Sequence, residues 1–166
     1  LSPTSSLAPT DSQGTGAPTP STETPTTLPT ERPTIPSLPV VPASLFSVLY
    51  NTGGGNPSDD QFNEAEGITI MYINEFLRRI FEFGLDAMFE EFVAAGVSTE
   101  LDPIRIGYEG IAVFGENSEF PPSQEGIDLL ILTAFQQPNV ATLLSMLQAL
   151  PAESPFSATS SVQYIQ

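Results

Sequence analysis

The side chains that could do chemistry in this chain are nearly all carboxylates. Twenty of 166 residues are Asp or Glu, four are Arg, and His, Cys and Lys are absent. Proton transfer and nucleophilic attack usually enlist His, Cys or an activated Lys. Catalysis would therefore fall to paired carboxylates, as in glycoside hydrolysis, and Glu64/Glu66 and Glu90/Glu91 are the nominees. Adjacent positions on a helix or strand point in different directions, so a solvated acidic surface accounts for them better. The turn "NTGGGNPS" (51–58) stands where a phosphate cradle would, but it lacks the dinucleotide spacing and the Lys of a P-loop. A flexible turn is the simpler reading. The chain is expected not to be an enzyme.

Oxygen ligands for calcium are plentiful: Asp59, Asp60, Glu64, Glu100, Asp102, Glu116 and Glu119. None follows the EF-hand spacing. The expectation is no cofactor and no defined metal site, with calcium at most loosely bound among the carboxylates. Arg78 and Arg79 are spaced to pair with Glu75 or Glu82 along one helix. A formal net charge of −16 repels nucleic-acid phosphate and anionic lipid alike. The longest apolar run, "IDLLILTAF" (127–135), is too short to span a bilayer, so neither nucleic acid nor membrane insertion is expected.

The remaining candidates lie in the first 42 residues, which hold ten prolines, ten threonines, six serines and no aromatic residue. Such a segment cannot bury enough apolar surface to offset chain entropy. Residues 1–42 are read as an extended arm and 43–166 as a globular domain. Closely spaced prolines favour a polyproline II rod with three residues per turn. Pro33, Pro36, Pro39 and Pro42 step by three and stack on one column, beside a second column of Ile35, Leu38 and Val41. That apolar edge, with Pro36 and Pro39, is the expected subunit-docking element.

Farther upstream, Thr4, Thr10, Thr19, Thr24, Thr26, Thr27, Thr30 and Thr34 are candidates for O-linked sugar, as on a mucin-like stalk. No Asn-x-Ser/Thr acceptor exists, because Pro57 follows Asn56. The chain opens at Leu1 without an initiator Met or a signal-like leader. Removal of a signal peptide, or membership of a longer chain, is expected, and either suits an extracellular protein.

The elements behind the arm follow from periodicity. "ASLFSVLY" (43–50) alternates and predicts a strand. Ser58 caps a helix with Gln61 at the capping-box position, and Phe62, Ala65, Thr69, Ile73, Phe76, Ile80 and Phe83 form its apolar stripe to about Gly84. Residues 85–100 read as helix or strand. "IRIGYEGIAVFGE" (104–116) predicts a strand bulged near Gly110. A second helix begins after Ser123 and is interrupted at Pro138, and a shorter one carries Leu143, Leu144 and Leu147. Val162 and Tyr164 mark a last strand. The order β-α-(β)-β-α-β predicts an α+β domain of ferredoxin-like or SEA-like type, helices on one face of an antiparallel sheet.

"FSVLYNT", "IRIGYEGIAVF", "PPSQEGIDLLILTAFQQPNVATLLSML" and "FSATSSVQY" resemble tandem extracellular modules of diatom and other heterokont algal surface proteins, which lie between Thr/Pro-rich segments. The resemblance covers nearly all of 43–166 and rests on hydrophobic spacing. It implies a secreted cell-surface or matrix protein and carries no active site. The expectation is an extracellular structural glycoprotein, a self-assembling filament or matrix subunit whose arm docks on neighbouring copies. The alternative is a monomeric adhesion or ligand-binding module on a glycosylated stalk.

Overall fold

A computed structural model of the chain describes residues 38–84, 87–101 and 103–166. Strands β1 (Val40–Pro42) and β2 (Phe46–Asn51) precede helix α1 (Asp59–Gly84). Strands β3 (Phe89–Leu101) and β4 (Ile104–Phe114) follow, then helices α2 (Gln124–Ala134) and α3 (Val140–Gln148). A 3-10 turn at Pro155–Ala158 leads into β5 (Ser161–Ile165). The fold is α+β, with one five-stranded sheet in which every pairing is antiparallel.

Strand β4 is the spine of that sheet. Along one side it pairs with β3 for its whole length; along the other it meets β2 at Ile104–Tyr108 and β1 at Ile111–Val113. Strand β5 then pairs with the far side of β2. The strand expected over 43–50 is β2, which starts only at Phe46; residues 43–45 form a kink, and before it the end of the expected arm supplies β1. Asp128 of α2 pins this kink, accepting from the Ser44 N–H (2.8 Å) and from the Ser44 hydroxyl (2.7 Å). Val40–Pro42, which the proline spacing predicts as the end of a polyproline rod, is instead strand. Proline is tolerated there because β1 pairs on one side only, with β4, so no ladder needs its missing N–H.

Alternation in the strands separates two faces. Ile104, Ile106, Tyr108, Ala112 and Phe114 of β4, with Phe46, Val48 and Tyr50 of β2, are buried under the helices. Helix α1 adds Ala65, Thr69, Tyr72, Ile73, Phe76 and Leu77, spaced at three and four residues as the stripe requires. Ile127 and Ile131 of α2 and Leu143 and Leu147 of α3 complete the core. Aromatic contacts tie these parts together. Phe46 stacks on Tyr108 at 5.3 Å and on Tyr164 at 5.4 Å between centroids, while Phe81, Phe89 and Phe114 form a second cluster.

The caps form as their spacing predicts. Ser58 N–H donates to the Gln61 side chain at 2.9 Å, Gln61 N–H donates back to the Ser58 hydroxyl at 3.4 Å, and the Ser123 hydroxyl accepts from Gly126 N–H. The bulge expected near Gly110 is not there. Gly110 stands in register opposite Ala94, and the irregularities fall on β3, between Phe89 and Glu91 and between Gly96 and Ser98. Gly110 answers a packing demand: a Cβ there would lie 2.5 Å from the Phe92 ring and 2.8 Å from Ala94. Its missing side chain lets Phe92 enter the core.

Candidate interaction surface

The carboxylates nominated for catalysis lie on α1 and β3. Glu64, Glu90 and Glu91 are exposed, while a Glu66 oxygen accepts from the backbone N–H of Gly96 at 2.9 Å. Among the described residues no three acidic side chains gather as a metal site would need. Gly53, Gly54 and Gly55 all have positive φ, which explains three successive glycines after β2. They border a hollow of about 410 Å³ with Asn51, Thr52 and Pro103, and none of its lining residues is basic. Arg78 and Glu82 border a larger recess of about 720 Å³ beside Phe81, Met88 and Phe89.

Three hydroxyls meet inside the core. Tyr50 is 2.6 Å from the Tyr108 oxygen and 2.8 Å from Thr69 Oγ1, and Thr69 donates to the Ala65 carbonyl at 2.9 Å. Burial raises the Tyr50 and Tyr108 hydroxyls well above the ordinary phenol value, and Tyr72, which donates to the Ala134 carbonyl, is pushed up to about 12 by the same cause. The chain of hydroxyls satisfies polar groups that would otherwise be stranded in the core. Tyr50, Tyr108 and Thr69 are all fully buried.

The opposite face of the sheet is different. Its outward row includes Arg105, Glu109, Ile111 and Val113 on β4; Glu91, Val93 and Ala95 on β3; and Val40 and Pro42 on β1. Val93, Ile111 and Pro42 stand side by side across three strands, as do Val113 and Val40 next to them. These side chains are open to solvent: Val40 is 54% exposed, Val97 49%, Val93 48% and Ile111 39%. Beside the β1–β2 kink, Pro42, Val93, Val97 and Ile111, with Glu109, frame a hollow of about 370 Å³. The patch is apolar and exposed on a chain of formal net charge −16.

Strand β3 is an edge strand, and α1 covers part of that edge. Asn74 accepts from Phe92 N–H (2.6 Å) and donates to its carbonyl (2.8 Å), and Glu66 takes the Gly96 N–H. A Cβ on Gly96 would meet the Glu66 carboxylate, so the end of that side chain would have to move to admit one.

The residues expected to dock divide between three situations. Val41 packs in the core of its own chain, with 9% of its surface exposed, and Leu38 is half-buried. Pro39 is half-buried too, and its carbonyl accepts from Phe114 N–H at 2.9 Å. Ile35, Pro36 and the candidate threonines Thr4, Thr10, Thr19, Thr24, Thr26, Thr27, Thr30 and Thr34 lie outside the described residues. Strand β1 therefore takes Val41 out of the apolar column, because its alternation turns that side chain inward between Val40 and Pro42.

Neither the outer patch nor the Asn74 clamp figures in the sequence reading. The signal for the patch was present: Val93 and Ile111 are apolar at positions whose neighbours Phe92 and Ala112 take the buried phase. Comparison with known proteins finds no family model, curated protein or solved structure that matches this chain.

Proposed function

We propose that the chain is a non-catalytic structural subunit of an extracellular assembly, in which copies associate through surfaces rather than act on a substrate. The observation that carries this reading is the open apolar patch of Val40, Val93, Val97 and Ile111 on a chain with a formal net charge of −16. The mutual repulsion of such charge keeps unrelated contacts weak, so an uncharged patch becomes the favoured place for association.

In this reading the domain is ferredoxin-like. The order β3-β4-β2-β5, antiparallel throughout, with α1 and the α2–α3 pair between strands in the chain, supports that assignment. Residues 1–37 form the Pro/Thr-rich arm, sugar-bearing upstream and used for contact nearer the domain. The resemblance to diatom and other heterokont algal surface modules belongs to the same proposal. Loosely held calcium would serve as a counter-ion to the carboxylates.

Sedimentation velocity of the full chain over a wide concentration range tests the reading. Growth of species larger than a monomer with concentration is the expected result. A monomer at every concentration, with or without calcium, would leave no assembly to explain. Intact mass measurement on native material checks the arm: sugar-sized additions are expected, and an unmodified mass removes the glycoprotein part of the proposal.

A further inference from the structure

We infer that the outer hollow framed by Pro42, Val93, Val97 and Ile111 is the receptor for the proline-rich leader of a second copy of this chain, an inference that rests on the assembly reading above. The hollow is about 370 Å³ and mostly apolar, with the small Ala95 in its lining and Glu109 as its one charged member.

Two properties of the chain select the occupant. Charge is the first. Residues 38–166 carry seventeen carboxylates against three arginines, whereas residues 1–37 carry three against one. Packing the outer faces of two domains together would bring two strongly acidic bodies into contact, with Glu91 and Glu109 of each copy near the join. A leader brings almost no charge to the same surface.

The chemistry of the leader is the second property. Thirty-seven residues precede the first described one, and eight of them are proline. Proline has no N–H to extend a sheet, so such a segment binds by laying rings and aliphatic side chains on an apolar surface. Residues 25–36 place Leu28 and Ile35 among four prolines. A chain already stiffened by proline loses less entropy when it is held there, so a modest contact area suffices.

Because the sequence contains no cysteine, single introduced cysteines report contacts between copies without interference. Full-length Thr30→Cys and full-length Ala95→Cys proteins are mixed and oxidised. The expected product is a disulfide between the two variants, formed at least about tenfold faster than Ala95→Cys pairs with itself, a difference of about 1.4 kcal/mol in activation free energy. Ile111→Asp in the Ala95→Cys partner is expected to abolish that product while leaving circular dichroism unchanged. Predominant self-pairing of Ala95→Cys would show domains meeting face to face and would overturn the inference. So would a chain carrying both cysteines that closes only on itself. Wild-type sedimentation separates the two levels. If wild type stays monomeric, the assembly reading itself fails. If wild type assembles, and Ile111→Asp assembles equally well without cross-linking, only the receptor assignment fails.

Discussion

Successive residues of β4 belong to different worlds. Ile106, Tyr108, Ala112 and Phe114 face the helices and are essentially inaccessible, while Glu109 and Ile111, one step away, face water. The covered side is built from aromatic rings in contact and a satisfied hydroxyl chain. The open side mixes Val and Ile with Glu and small residues around a hollow. The same backbone thus presents two chemistries, a packed core on one side and, in the assembly we propose, a contact surface on the other. Substitutions should separate them cleanly.

The largest effect is expected from alkali, which acts on the covered side alone. All four tyrosines have hydroxyls raised above the ordinary value of 10.0, mainly because burial disfavours the phenolate. Proton binding is then stronger in the folded than in the unfolded chain. The stabilisation is fully present below pH 10 and is lost as pH climbs toward and past the value of about 12 for Tyr72. A spectrophotometric titration should show little phenolate at pH 10, then a steep rise that coincides with loss of circular dichroism. A smooth ionisation near pH 10 with structure intact would contradict the burial of these groups.

Next in size is Phe114→Ala. Its ring meets Phe81 at 5.3 Å and Phe89 at 5.8 Å between centroids, and truncation should cost about 3–5 kcal/mol in denaturant unfolding. Asn74→Ala comes third. It strips both partners from the Phe92 backbone and should cost about 1–3 kcal/mol, with faster hydrogen exchange at Phe92 and little change in the α3 amides. The smallest effect belongs to the open side. Val93→Thr and Ile111→Thr should shift stability by no more than about 0.5 kcal/mol. A loss as large as that of Phe114→Ala would mean the two faces are not separate.

The helices were legible because their signals are local. The Ser58–Gln61 box and the stripe from Ala65 through Phe76 each lie within one segment, and capping and periodicity need no distant partner. The central strand was legible from Ile104, Ile106 and Tyr108 for the same reason. Strand β3 was not: "FEEFVAAGVS" has two bulges that break its alternation, and its edge is completed by Asn74 and Glu66 of another element. Strand β1 was hidden by Pro39 and Pro42, whose spacing fits a polyproline rod equally well. What reveals the strand is its pairing with Val113, Ala112 and Ile111, some seventy residues away in the chain. The outer patch escaped for a related reason. Whether Val40, Val93 and Ile111 form one surface depends on register, which a list of residues does not contain.

The clamp on β3 has a consequence for crowding. A thirteen-residue strand with a bare rim invites other chains to add on to it, and many copies held close together multiply that hazard. The amide of Asn74 occupies the rim as a neighbouring strand would, and Glu66 blocks it again four residues farther along. At Phe92 and Gly96 the backbone groups that an added strand would need are already taken, which works against edge-to-edge fusion at this border.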